Sequence, residues 1–166
     1  KKGHLKGSIN IQATSEEAKF ETWLGAIVEP EEKFSLVIDK PEDLELLLQR
    51  VAKIGYEKQL QEVLTTSNEH LLQMKPLDLQ DFKKNPDNYT IIDIRNQSEI
   101  KEGKFFEKAL EHPLNELRES AKNIPINKPI VVHCAGGYRS AAGSSILENQ
   151  LEGATVYDLS DDGKEY

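Results

Sequence analysis

The sequence has a single cysteine, a single tryptophan and a single methionine. One cysteine excludes an internal disulfide and any cysteine-based metal cluster within the chain. It fits a reducing compartment or a catalytic thiol. Long hydrophobic runs are also missing: stretches such as Leu36-Val37-Ile38 and Ile130-Val131-Val132 stop far short of the ~20 residues a membrane span needs. No apolar leader follows Lys1-Lys2-Gly3-His4, so no secretory signal is visible and a cytoplasmic location is expected. Positive charge is in deficit, with 21 Lys and Arg against 29 Asp and Glu and a net charge of -8. That balance argues against nucleic acid or an anionic membrane as partner, since both reward clustered Lys and Arg. A small anion can still be held in a locally positive pocket. The histidines His4, His70, His112 and His133 form no His-x-His or His-Glu-x-x-His pair, and neither a metal site nor a cofactor is expected.

What is present is enough for a globular core: 37% of the 166 residues are hydrophobic. Strand and helix signals alternate, which predicts an α/β fold built on mostly parallel sheets flanked by helices. Tyr89–Ile94 is β-rich and follows the turn-prone Asn85-Pro86-Asp87-Asn88. A helix is expected near Leu114–Ala121, a buried strand at Pro129–His133, a helix at Ser140–Asn149 and a strand at Thr155–Leu159. Earlier in the chain, Phe34–Ile38 predicts a strand. A helix is expected from about Glu42 to Ile54, with Leu44, Leu47, Leu48, Val51 and Ile54 on one face. Gly55 stands where a C-terminal cap belongs, and Gln61–Leu64 forms a short strand. Thr65–Gln73 lacks periodicity and suggests a linker. Strand, loop, helix, glycine and strand thus occur twice, at 34–64 and 129–159, which predicts an internal duplication. The first copy has no counterpart of the Tyr89–Ile94 strand, so it is expected to be truncated.

Chemistry concentrates in His133-Cys134-Ala135-Gly136-Gly137-Tyr138-Arg139-Ser140, between a buried strand and a helix. A short loop there turns successive backbone N–H groups toward one point, an anion-binding nest, and the helix adds the positive end of its dipole. Gly136 and Gly137 permit the positive φ values that a tight cradle needs. A cysteine at the mouth of the cradle favours its nucleophilic thiolate form. Arg139 adds a fixed positive charge for the thiolate or an anionic substrate. The competing reading is a small buried hydrophobe at a strand end.

These residues resemble the active-site loop of rhodanese domains, in which a cysteine opens a short loop that ends in arginine. The resemblance implies that Cys134 accepts a sulfane sulfur and holds it as a persulfide, with loop 134–139 and Ser140 binding the substrate. Ile91-Ile92-Asp93-Ile94-Arg95 is similar to the family's strand ending in Asp-x-Arg, and Gln97-Ser98-Glu99-Ile100 to the acidic turn after it. Asp93 and Arg95 are therefore expected to support the loop; the alternative for them is a surface ion pair. Tyr138 is placed on the rim, and His133 is expected to point away from the site. Ser140 is expected to cap the helix or to donate a hydrogen bond to the thiolate.

Gly3-His4-Leu5-Lys6-Gly7-Ser8-Ile9-Asn10-Ile11 is similar to a second rhodanese element. The position matching Cys134 is Asp39, however, and Asp39-Lys40-Pro41-Glu42-Asp43 offers no nucleophile. Gly103-Lys104-Phe105-Phe106-Glu107-Lys108-Ala109 stands where a cleaner Gly-His element is expected in the second copy. Two rhodanese-like units follow: 1–73, incomplete and catalytically silent, and 74–166, with the loop. The pairing, with Trp23-Leu24-Gly25 and Arg50, Ile54, Gly55 and Tyr56, resembles the rhodanese pair that follows a metallo-β-lactamase-fold persulfide dioxygenase domain. That resemblance implies a fused or associated domain of that kind as partner. The expected activity moves sulfur from thiosulfate or a low-molecular-weight persulfide to a thiol, cyanide or sulfite. Two alternatives stay open. Cysteine phosphatases and arsenate reductases use a similar cradle, but phosphatase cradles hold one residue more than the four between Cys134 and Arg139. A partner-binding module could also use the fold as a scaffold only.

Overall fold

The computed structural model describes residues 3–15, 18–65 and 71–160. Its elements, in chain order, are helix α1 (Phe20–Ile27), strand β1 (Phe34–Ile38), helix α2 (Leu44–Ala52), strand β2 (Leu60–Thr65), helix α3 (Leu79–Lys84), strand β3 (Thr90–Asp93), helix α4 (Gln97–Glu102), strand β4 (Leu110–Glu111), helix α5 (Leu117–Ser120), strand β5 (Ile130–His133), helix α6 (Tyr138–Gln150) and strand β6 (Val156–Asp158). They form a two-stranded sheet, β1-β2, and a four-stranded sheet of order β4-β3-β5-β6, and every pairing within them is parallel. No helix among the described residues is long and apolar enough to cross a membrane.

In the larger sheet β3 and β5 are buried along their whole length. That is the burial parallel strands require when both faces are covered, and it explains their continuous β-branched runs. Alternate residues divide between two cores. Ile92, Ile130 and Val132 face a cluster with Leu117, Ala142, Ile146 and Leu147, whereas Ile91 and Val131 join Phe82 and Leu159 on the other face. Helix α6 lies close to the sheet because Gly143 faces it, and its small neighbours Ala142, Ser144 and Ser145 are buried as well. A Cβ on Gly143 would stand 2.6 Å from Ile94 Cδ1, so glycine sets that approach.

The strand order contains a topological switch. From β3 the chain first moves to one side, to β4, and then returns across it to β5 and β6. In open parallel sheets, ligands bind in the crevice at the carboxyl ends of the strands on either side of such a switch. Here Asp93 and His133 are register partners at those ends, and Cys134 is the next residue.

The strands expected at 34–38, 89–94, 129–133 and 155–159 are present with small changes at their ends, and the strand at 61–64 extends to Leu60–Thr65. The helix expected over 42–54 is shorter. A 3-10 turn at Pro41–Asp43 precedes it and it ends at Ala52. Its buried residues are Leu47, Arg50 and Val51, while Leu44 and Leu48 are 38% and 39% exposed. A two-stranded sheet is too small to cover the whole apolar stripe of α2. Helix α1, which the apolar periodicity did not single out, packs Phe20 and Leu24 against Val51. Arg50 is buried and holds this part together: it donates to Ala13 O at 2.6 Å, to Ala18 O and to both Glu21 carboxylate oxygens. That hydrogen bonding pulls the Glu21 carboxyl down to about 2.

Apolar contacts join Ile9, Ile11, Trp23, Ile27 and Val28 to the larger sheet's core. Ile27 belongs to the same cluster as Ile92 and Val132, with Ile9, Ile11, Trp23 and Val28 packed on it. Arg118 of α5 adds polar ties, donating to Ile27 O at 2.8 Å and to the Glu32 carboxylate at 2.6 and 2.8 Å. The segment Gly3–Ile11 runs over α6, where Asn10 N–H donates to Ser145 Oγ at 3.0 Å. Of the expected linker 65–73, residues 66–70 lie outside the described residues, and Leu72 forms an antiparallel bridge with His4.

Candidate active site

Strand β5 ends at His133, and the chain turns through Cys134–Gly136 into Gly137, which caps α6 in the left-handed region at φ 81°. The helix therefore starts at Tyr138, two residues earlier than the periodicity of 140–149 predicts, and Arg139 and Ser140 belong to its first turn. This start points backbone donors at the sulfur. Gly137 N–H and Ser140 N–H lie 3.2 and 3.3 Å from Cys134 Sγ. The Ser140 hydroxyl instead donates to Gly137 O at 3.0 Å, so Ser140 reaches the sulfur through its amide, and its side chain neither caps the helix nor donates to the thiolate. Cys134 is 1% exposed.

Arg139 is buried beside the loop, but its charge is already balanced. Its guanidinium donates to Glu99 Oε2 and Oε1 at 2.5 and 2.8 Å, a bidentate fork, and lies 5.3 Å from the Trp23 ring centre. Burial opposes the charge, and the Glu99 carboxylate and the Cys134 sulfur more than offset it, so the Arg139 pKa is raised. Glu99 is correspondingly held below the usual carboxylate range, chiefly by its hydrogen bonds from Arg139. The positive charge expected of Arg139 is thus shared between the Glu99 carboxylate and the Cys134 sulfur. Glu99 lies in the acidic turn singled out in the sequence, but its pairing with Arg139 was not expected. Its signal is the capping-box position three residues after Asn96, whose N–H it accepts at 3.1 Å.

Asp93 and Arg95 form a buried pair, with side chains 1% and 4% exposed, rather than a surface ion pair. Asp93 accepts from Arg95 N–H and Nε at 3.0 Å and from the terminal guanidinium nitrogen at 2.7 Å. Arg95 also donates to Gly103 O at 3.0 Å and lies 4.1 Å from the Phe105 ring centre. The pair fastens the 103–106 segment to the strand ends beneath the loop. His133 points into this lower layer, as expected. Its ring is fully buried, 5.0 Å from the Phe106 ring and 3.7 Å from the Asp93 carboxylate. Burial outweighs the attraction of Asp93 and pushes the His133 pKa down to about 4, so the imidazole is neutral at pH 7.

Above the loop opens a cleft of about 280 Å³ lined by Lys19, Trp23, Cys134, Ala135, Gly136, Tyr138 and Arg139. The structure thus brings most of the expected substrate-binding residues onto one wall, with Tyr138 46% exposed at the rim. Gly137 and Ser140 supply amides from below, and Asp93 and Arg95 stand outside the lining. The other wall is Lys19 and Trp23, from the part of the chain that carries no nucleophile of its own.

A family model described as the rhodanese-like domain matches residues 78–165. The chain belongs to the rhodanese-like family. Membership places it among the sulfurtransferase-type proteins, and the match covers the four-stranded sheet and its loop but not residues 1–77. Among solved structures, the chain is similar to a rhodanese-related protein from Thermoplasma volcanium, with 31% identity and a TM-score of 0.45 over 51% of this chain and 81% of that one. It is also similar to Bacillus anthracis CoADR-RHD, with 24% identity, TM-score 0.43, and coverage of 53% of this chain and 15% of that one. A third similarity is to an NAD-dependent persulfide reductase from A. fulgidus, with 25% identity, TM-score 0.42, and coverage of 74% and 18%. The chain therefore spans less than a fifth of the latter two proteins. No curated protein matches it.

Proposed function

We propose that this protein is a sulfurtransferase that carries a sulfane sulfur as a persulfide on Cys134. The observation that carries the reading is the convergence of the Gly137 and Ser140 amides on Cys134 Sγ, at the head of a helix and the floor of a cleft. Donors fixed in that way stabilise negative charge on sulfur without reorganising during the reaction.

The reaction is a double displacement. The Cys134 thiolate attacks the outer sulfur of thiosulfate or of a low-molecular-weight persulfide. An S–S bond forms to Cys134, the donor's S–S bond breaks, and its electron pair leaves with sulfite or the thiolate. A thiol, cyanide or sulfite then attacks the terminal sulfur, and the bonding pair returns to the Cys134 thiolate. No net oxidant or reductant is needed. Arg139, held by Glu99, braces the loop and shares its charge with the sulfur, and Asp93 and Arg95 keep the strand ends in place beneath it. A cradle one residue shorter than a phosphatase's suits a sulfur atom better than a tetrahedral phosphate.

In this reading, residues 1–73 are a catalytically silent, truncated rhodanese-like unit and 74–166 the working one. The strand–helix–strand order of β1-α2-β2 repeats that of β5-α6-β6, and Asp39 follows β1 where Cys134 follows β5. A fused or associated metallo-β-lactamase-fold domain and a cytoplasmic setting complete the proposal.

Thiocyanate formation from thiosulfate and cyanide, repeated with glutathione persulfide as donor, is the test. Activity that disappears in Cys134→Ser is expected. Activity that survives this substitution would reject the assignment. A phosphate ester cleaved in a Cys134-dependent way, without sulfur transfer, would put a phosphatase in its place.

A further inference from the structure

The active-site wall built from residues 134–139 holds one cation, Arg139, whose terminal nitrogens donate to Glu99 and whose charge is shared between that carboxylate and the Cys134 sulfur. The opposite wall differs. Lys19 precedes α1 and lines the cleft one helical turn from Trp23, whose N–H donates to Lys19 O at 3.0 Å. No carboxylate is paired with Lys19 among the described residues, and its side chain is exposed at the mouth. Trp23 is fixed from behind by the core under the larger sheet and from the side by Arg139. The backbone carrying Lys19 is fixed in turn by Arg50, which donates to Ala18 O and to Glu21 on either side of it. An exposed cation therefore lines the cleft beside a fixed aromatic wall, in a protein whose net charge of -8 otherwise repels anions.

We infer that Lys19 is the residue that recruits the anionic group of the sulfur donor, so that the catalytically silent part of the chain sets donor specificity. The inference rests on the sulfurtransferase reading for the identity of the donor, but not for the attraction itself. The nest beneath Cys134 receives the sulfur to be transferred. The rest of the donor, a sulfonate-like group in thiosulfate or a carboxylate in an organic persulfide, lies in the cleft toward Lys19. A cleft of about 280 Å³ is near the lower end of small-molecule sites, and it holds more than a single sulfur atom. Lys19 does not touch the reacting sulfur. It acts on donor capture and therefore on KM rather than kcat.

The deciding experiment compares Cys134 alkylation by iodoacetate and by iodoacetamide, reagents of similar size that differ in charge, in the full chain. Lys19→Ala is expected to lower the iodoacetate-to-iodoacetamide rate ratio about 1.5- to fivefold, the range for one exposed charge interaction. Lys19→Glu should lower it further, and Lys19→Arg should restore it. Added salt should erase the wild-type preference. An unchanged ratio in Lys19→Ala would overturn the inference. So would a wild-type thiol inert to both reagents, because it would not open to the cleft. Neither result depends on sulfur transfer. In the coupled assay, Lys19→Ala should raise KM for thiosulfate and glutathione persulfide more than for the persulfide of 2-mercaptoethanol, which carries no sulfonate-like group or carboxylate. An equal rise for all three would contradict specificity. Loss of transfer from every donor in the wild type would instead reject the function proposed above.

Discussion

At the scale of single residues, the site depends on who holds Arg139. A buried guanidinium needs a partner, and Glu99 is the one it has. Glu99→Gln keeps the side-chain shape and removes the charge, so Arg139 loses its fork and its orientation beside Cys134. A fall of roughly tenfold in kcat/KM with thiosulfate is expected, together with about 1–2 kcal/mol of lost stability from an under-satisfied buried charge. Unchanged kinetics in the folded variant would mean that Glu99 does not position Arg139.

His133 makes a second prediction at this scale. Its pKa is lowered from 6.5 to about 4 by burial, so the unfolded chain binds a proton that the folded one refuses. Stability is therefore complete above pH 6.5 and is lost as pH falls toward 4. The upper bound is about 3 kcal/mol for a shift of this size. His112 is also lowered by burial and acts in the same direction. Comparison with His133→Phe isolates the share of His133, since a phenyl ring fills the same place beside Phe105 and Phe106. Chemical denaturation at pH 7 and pH 5 should show a smaller loss in the variant; equal losses would contradict the burial argument.

At the scale of elements, the sequence shows some things plainly and hides others. Strands β3 and β5 were legible because strands buried on both faces must be continuously apolar. The loop was legible because Cys134, Gly136, Gly137 and Arg139 at fixed spacing have few other uses. The start of α6 is hidden in the sequence, because Tyr138 and Arg139 carry no apolar periodicity; Gly137 with its positive φ marks the cap. Helix α2 was read too long because its leucines fit one stripe, yet the small sheet behind it covers only part of that stripe. The pairing of Glu99 with Arg139 spans 40 residues and no local pattern announces it. The same holds for the Trp23 wall. At Gly143, the tight contact with Ile94, Leu117 and Val132 is likewise invisible in one dimension. Gly143→Val should force α6 away from the sheet and cost about 1–3 kcal/mol in a denaturation curve, the range for overpacking. It should also slow alkylation or sulfur loading of Cys134, because the helix carries the two amides. Full stability in Gly143→Val would show that α6 is not held close there.

At the scale of the whole molecule, two unequal parts meet at one cleft. The four-stranded sheet supplies the nucleophile, its amides and the braced arginine. Residues 18–28 supply the facing wall and extend the same apolar core. The β1-α2-β2 part, which lacks a nucleophile, holds that wall in place through Arg50, and Arg118 of α5 ties it to the larger part. All of this turns on whether Cys134 carries sulfur.

The most direct measurement is the intact mass of the reduced protein after incubation with thiosulfate and, separately, with glutathione persulfide. A gain of about 32 Da, the mass of the one sulfur moved in thiolate–disulfide-type exchange, is expected in the wild type and not in Cys134→Ser. Subsequent addition of cyanide or thiol should remove it. A folded, reduced wild type that gains no sulfur from either donor would contradict the account and leave the fold as a scaffold for binding.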